Sequence, residues 1–103
     1  MLILPLALIT ALLSAVSHAD PSPVIFGYGA VSCGEWIEGR KMDNYSAKEG
    51  WVLGYLSGLG VAGMKIKDVD NSAINYWLDA YCKEHPLARL QEASMELAIE
   101  LSE

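Results

Sequence analysis

The segment INYWLDAYCKEHP, residues 74–86, decides the fold class of this chain. Its apolar residues and one cysteine recur at intervals of three and four, which places them along one face of a helix; they are Ile74, Trp77, Leu78, Tyr81 and Cys82. Asp70 or Asn71 can cap the start of this helix, and Pro86 ends it and begins another. No segment alternates well enough for a central strand, so the sequence predicts an all-α fold.

Three further helices complete the expected structure, a small single-domain bundle of four short helices. Ser32 and Glu35 have the spacing of a capping box and open a first helix. Ser46 and Glu49 repeat this spacing at the start of a second helix. The fourth helix, after Pro86, has one apolar face and one row of glutamates; the apolar residues are Leu87, Leu90, Leu97, Ala98 and Leu101, and the glutamates are Glu92, Glu96 and Glu100.

The second helix contains the uncharged run GWVLGYLSGLGVAGM, residues 50–64. Gly50, Gly54 and Gly58 share one of its faces. Because glycine destabilises a helix interior by about 1 kcal/mol relative to alanine, three glycines on one face need an offsetting interaction. We expect them to form a close helix-packing face against a neighbouring helix, and we expect this helix to be the buried centre of the bundle.

The same run allows two other interpretations, and neither is favoured. A membrane span needs about twenty apolar residues, whereas Glu49 and Lys65 bound this run. The G-x-G-x-x-G pattern at residues 58–63 would have to follow a strand and open a helix to bind a dinucleotide. Here the glycines close a helix, so we expect no cofactor site.

The N-terminal part of the chain has the pattern of a signal peptide. Residues 1–19 are apolar and end in Ser17-His18-Ala19, which predicts cleavage before Asp20; an uncleaved anchor is the alternative. Residues 20–31 contain prolines and glycines and are expected to form an extended arm, and residues 32–103 form the helical domain. The protein is therefore expected to be periplasmic or secreted, without stable membrane insertion after cleavage.

The chain has two cysteines, Cys33 and Cys82, so one intramolecular pairing exists. In an oxidising compartment we expect this pair to form a disulfide. Reactive or metal-binding thiols are the alternative, although no C-x-x-C motif supports them. The net charge of −6 argues against a nucleic-acid partner, because binding to a phosphate backbone requires a basic surface.

Few residues carry a signal for chemistry, and we expect no enzyme, no metal site and no cofactor. Asp68 to Asn71 resemble a calcium loop, but Ala73 stands at the glycine position and Asp79 at the glutamate position. His85 is expected to cap a helix end. The large apolar residues are candidates for the core or for a client-binding surface; they are Trp36, Trp51, Tyr55, Leu59, Trp77 and Tyr81.

Three segments resemble the small HdeA/HdeB-like periplasmic proteins: SCGEWIEGRK at 32–41, WVLGYLSG at 51–58 and WLDAYCKEHPLARLQEA at 77–93. The resemblance implies one disulfide, between Cys33 and Cys82, across a compact helical fold. The best-known members of that family are acid-stress chaperones, which are dimeric at neutral pH, partly unfold in acid and bind aggregating clients. The resemblance therefore implies an acid-responsive chaperone with proteins as its partners.

The chain also departs from that pattern, because it is richer in tryptophan and glycine and lacks a lysine-dense tail. The same blocks are similar to Tai/Rap-type immunity proteins, which usually carry more cysteines. We therefore expect a non-enzymatic protein-binding protein, a possible homodimer, whose partners are unfolded clients or one specific protein. An immunity-type inhibitor of a periplasmic effector and an accessory subunit of an envelope complex are the alternatives. The expected client surface is the apolar part of the second helix, together with Val24, Ile25, Phe26 and Tyr28 of the arm.

Overall fold

The computed structural model describes residues 23–103, so the predicted signal peptide and the first three residues of the arm lie outside the described residues. Four helices follow one 3₁₀ turn at Gly27–Ala30; they are α1 (Cys33–Lys41), α2 (Ser46–Val61), α3 (Asn71–Glu84) and α4 (Leu90–Leu101). The described residues form no strand, only two isolated bridges. The predicted all-α bundle of four short helices is confirmed.

The predicted disulfide is also confirmed. It joins Cys33, the first residue of α1, to Cys82 in the last turns of α3, with their Cα atoms 4.8 Å apart. Both cysteines are fully buried. The Cys33 N–H donates to the Ala88 carbonyl and the Gly34 N–H to the Pro86 carbonyl, at 2.7 and 3.0 Å. The start of α1 is therefore held by the disulfide and by the loop between α3 and α4.

Two of the predicted helix starts are confirmed. The Ser32 hydroxyl accepts a hydrogen bond from the Glu35 N–H at 3.3 Å. The Asp70 carboxylate caps α3 by accepting from the Ala73 N–H at 2.9 Å. Both caps satisfy an N–H group that has no partner inside its own helix.

The cap of α2 and the start of α4 were predicted wrongly. Ser46 does not cap α2; it is the first helical residue, and no side chain caps the helix. The fourth helix begins at Leu90 rather than directly after Pro86, because the intervening loop carbonyls bond to α1. Consequently Leu87 lies outside the helix and is 94% exposed instead of joining the apolar face.

The core is formed mainly by α3 and α4. Its fully or almost fully buried apolar side chains include one tryptophan, and the core residues are Cys33, Trp36, Val52, Leu56, Ile74, Leu78, Cys82, Leu90, Ala93, Leu97 and Ala98. The predicted stripe on α3 supplies Ile74, Leu78 and Cys82, and α4 supplies four more residues. Packing pairs α1 with α3 and α2 with α4, while α3 and α4 contact each other between them.

The expectation that α2 is the buried centre of the bundle is wrong. Of its sixteen residues, only Val52 and Leu56 are buried. The helix ends as predicted at glycine, since Gly63 has a φ of +114°, which favours a residue without a side chain. None of the helices in the described part of the chain has the length and apolar character that a membrane crossing needs.

Candidate protein-binding surface

The glycines of α2 face outward. Gly50, Gly54 and Gly58 are exposed, and no atom outside their own helix lies within 4 Å of the position a Cβ would take at any of them. The predicted close packing of these glycines against a neighbouring helix of the chain is therefore wrong. The reason is rotational: α2 turns Val52 and Leu56 toward the core, and the glycines lie on the opposite side of the helix.

This side of α2 forms a continuous uncharged surface, which we call the glycine face. Its members are small or apolar and all exposed; they are Ala47, Gly50, Gly54, Ser57, Gly58 and Val61. Val61, at the end of the helix, is 91% exposed. Its charged neighbours along the chain are Lys48 and Glu49, in the first turn of α2, and Lys65, beyond the end of the helix.

Trp51 and Tyr55 connect α2 to its neighbours. Their rings stack with centroids 5.0 Å apart. The Trp51 indole N–H donates to the Phe26 carbonyl at 2.9 Å, and the ring covers Gly29, where any Cβ would overlap it. The Tyr55 hydroxyl accepts from the Gln91 amide at 2.9 Å. These two aromatic residues thus hold the arm and α4 against α2.

A partly buried polar pair links α2 and α3. The Asn75 side-chain amide donates to the Glu49 carboxylate at 2.7 Å. Asn75 is only 6% exposed, and its side-chain carbonyl has no hydrogen-bond partner among the described residues. Glu49 is therefore used between helices and not in the capping box that the sequence predicts.

A cluster around Asp79 joins α1 to α3. The Asp79 carboxylate accepts from the Trp36 indole N–H at 2.8 Å and from Arg40 Nη2 at 2.9 Å. Arg40 also lies over the Tyr45 ring, 4.7 Å from its centroid. The hydrogen bond to Asp79 raises the pKa of the Arg40 guanidinium. Sequence reasoning missed this cluster; its only local signal is the i, i+4 spacing of Trp36 and Arg40.

A row of stacked rings runs along α3 at the edge of the core and continues to His85. Trp77 stacks on Tyr81 with centroids 5.3 Å apart, and Tyr81 on His85 at 4.2 Å. The Nδ1 atom of His85 lies 3.0 Å from the Tyr81 carbonyl, and His85 is the C-cap of α3, as the sequence predicts. Burial, and then the charges of Glu96 and Glu92, raise the pKa of the Tyr81 hydroxyl.

The aromatic and apolar residues singled out from the sequence therefore divide into two groups. Trp36 is fully buried and belongs to the core. The others are half-buried at the edge of the core; they are Trp51, Tyr55, Leu59, Trp77 and Tyr81. Their position leaves part of each side chain accessible, and contact with a client remains a prediction.

Across residues 23–103, no group of three or more histidine, cysteine, aspartate or glutamate side chains is arranged to hold a metal ion. Asp70, a member of the possible calcium loop, caps α3 instead. The chain matches no protein-family model, no curated protein and no solved structure. The geometry of the glycine face and its surroundings therefore carries the functional argument.

Proposed function

We propose that this chain is a non-enzymatic protein-binding protein of the cell envelope and that the glycine face of α2 is its binding surface. One observation carries the proposal: α2, which has no charged residue after its first turn, buries only Val52 and Leu56 of its sixteen residues. So little burial is unusual for an apolar helix in a small domain. Exposed contiguous apolar surface typically marks an interaction site.

The composition of the glycine face favours a protein partner. Three helical glycines destabilise α2 by about 1 kcal/mol each relative to alanine, and no contact within the chain offsets this. A partner can offset it, because the missing Cβ atoms allow its backbone to approach α2 closely and gain dispersion contacts. The buried disulfide supports a location in an oxidising compartment such as the periplasm.

We further propose that binding is strengthened in acid, as in an acid-stress chaperone. The disulfide and the Asp79 cluster hold α1 to α3. Among the described residues, the only side-chain hydrogen bond between α2 and α3 is that of Asn75 with Glu49. Near pH 2.5 the carboxylates are largely protonated, and the remaining positive charges repel one another. If α2 then moves away from α1 and α3, which the disulfide joins, Val52 and Leu56 become exposed to clients.

The test follows aggregation by light scattering in a mixed periplasmic extract shifted to about pH 2.5, with the purified oxidised protein added. We expect suppression at near-stoichiometric amounts in acid and none at pH 7. Gly54→Lys places a charge on the glycine face without a clash, and we expect it to weaken client binding about tenfold, equivalent to about 1.4 kcal/mol. Ala80→Lys, at an exposed position of α3, is the matched control and should behave like the wild type.

Absence of suppression in acid would contradict the chaperone proposal. Equal activity of Gly54→Lys and Ala80→Lys would show that the glycine face is not the binding surface. The neutral-pH alternative is a dedicated partner, as for an immunity-type inhibitor or an envelope accessory subunit. It would appear as one stoichiometric protein that is retained by the wild type from a neutral lysate and lost with Gly54→Lys.

A further inference from the structure

A cleft of about 310 Å³ opens beside the glycine face, between the second half of α2, the segment 66–69 and the start of α3. Its apolar lining comes from all of these elements and from the end of α4, and consists of Leu53, Leu56, Ile66, Val69, Ile74 and Leu101. The only charged residues of its wall, Lys67 and Asp68, are adjacent and of opposite sign. The cleft is therefore suited to an uncharged, apolar occupant.

One wall of this cleft has an unpaired backbone edge. Ile66 forms an antiparallel bridge with Ser102: the Lys67 N–H donates to the Leu101 carbonyl at 2.9 Å, and the Lys65 carbonyl accepts from the Glu103 N–H at 3.0 Å. Because backbone groups alternate in direction along an extended segment, those of Ile66 and Asp68 point to the opposite edge. There they have no partner within residues 23–103. Such an edge can pair with a further strand.

The arm of the same chain has the features of such a strand. Val24 is 77% exposed and Phe26 82% exposed, while Ile25 between them is half-buried, which is the alternation of an extended segment. Phe26 has an extended backbone, and its carbonyl accepts from the Trp51 indole N–H, so the arm is held with its apolar side outward. Residues 21–34 carry no charge.

The arm cannot reach the cleft of its own chain. Pro23 lies beside Arg89 and Gln91 at the start of α4, whereas Leu101, at the other end of α4, lines the cleft. The twelve residues of α4 separate these two places by about 18 Å. An arm that occupies the cleft must therefore come from another molecule.

We propose that the arm of one copy, residues 23–26, adds as a short strand along the free edge at Ile66 and Asp68 of a second copy. Val24 and Phe26 of the arm then cover the apolar lining of the cleft, and main-chain hydrogen bonds fix the register. Exchange of both arms closes a symmetric dimer. Two acidic chains can approach in this way because both contacting surfaces are close to neutral. This contact shares only Ser57 with the glycine face and does not depend on the proposed function.

The test measures the mass of the oxidised protein by sedimentation velocity at pH 7 over a range of concentrations. We expect a concentration-dependent dimer, and we expect the double variant Val24→Ser/Phe26→Ser to weaken dimerisation at least about tenfold. Leu87→Ser is the matched control, since it removes an exposed side chain of similar size outside the arm and the cleft. Ser57→Trp, which fills the cleft from α2, should weaken the dimer as the arm variant does.

A photoreactive benzoylphenylalanine in place of Phe26 locates the contact. We expect cross-links between copies to residues 53–60 or 66–71. A wild type that is monomeric at every concentration, a dimer unchanged by the arm variant, or cross-links confined to other segments would each overturn the proposal. These readouts involve no client protein, so their failure is distinguishable from failure of the chaperone or partner-binding activity.

Discussion

Gly29 is a position at which one added carbon atom, a Cβ, would disturb the packing of the chain. It is buried under the Trp51 ring, and the indole occupies the place of any Cβ. The three glycines of the glycine face have the opposite surroundings, since space around them is open. Glycine therefore has two roles in this chain. At position 29 it allows a close contact within the chain, and on α2 it leaves an exposed surface without side chains.

We predict opposite effects of alanine at these two kinds of position. Gly29→Ala should lower the free energy of unfolding by about 1–3 kcal/mol, because Trp51 must move and its hydrogen bond to Phe26 is strained. Gly54→Ala should raise it by about 0.5–1 kcal/mol, because alanine is the better helix former and meets nothing. Urea unfolding of both variants measures the two values. A destabilised Gly54→Ala would contradict the open surface described for α2.

Tyr81 makes stability depend on pH in the alkaline range. Its pKa is raised above the ordinary value of about 10, chiefly by burial. A raised pKa in the folded state means that the neutral hydroxyl stabilises the fold below pH 10 and that this stabilisation is lost as pH rises through the raised pKa. Between pH 9 and pH 11 the stability of Tyr81→Phe should therefore fall less steeply with rising pH than that of the wild type.

Thermal unfolding at a series of pH values measures this difference. Tyr76→Phe is the control, because the Tyr76 side chain is 70% exposed on the same helix. Its pH profile should follow that of the wild type. If Tyr81→Phe and the wild type lost stability in parallel above pH 10, ionisation of the buried Tyr81 hydroxyl would not be the cause of the alkaline loss of stability.

Among the elements, the helices differ most in how they are held. The disulfide joins α1 to α3, and Trp36 and Arg40 of α1 bond to Asp79 of α3. No covalent bond holds α2; its contacts are two buried apolar residues, several half-buried ones at the edge of the core, and single hydrogen bonds to its neighbours. Local unfolding follows such differences, so α2 is the helix expected to open first.

We predict that removal of the disulfide abolishes this difference between helices. The double variant Cys33→Ala/Cys82→Ala opens a loop defined by a sequence separation of 49, and the chain-entropy model gives a loss of about 4 kcal/mol. Native-state hydrogen exchange should show that the amides of α2 are less protected than those of α3 in the oxidised protein. In the variant, the amides of both helices should have equal protection. Equal protection of α2 and α3 in the oxidised protein would contradict the proposed opening of α2.

At the scale of the whole molecule, charge and burial set the conditions for opening. The chain carries −6 at pH 7, and acid reverses the sign of this charge by protonating the carboxylates. The core is small, and a domain of this size has little stability in reserve. Repulsion between positive charges in acid therefore acts on a structure in which the disulfide joins α1 to α3, whereas no covalent bond holds α2 to them.

Local interactions by themselves determined a large part of this protein. The apolar stripe of α3, the caps at Ser32 and Asp70 and the helix end at Gly63 depend on neighbours a few residues away, and a pair of cysteines allows one pairing. These features follow from the sequence because their partners lie within one or two helical turns.

Only the tertiary structure decided which side of α2 meets the core. Apolar and small residues surround that helix on all sides, so no polar face marks the direction of solvent, and the glycines were wrongly placed inside. The start of α4 depended on carbonyls that bond to α1, and Asp79 depended on Trp36 and Arg40 about forty residues earlier in the chain. Contacts at such separations exist only once the helices have packed, because no periodicity along the chain encodes them.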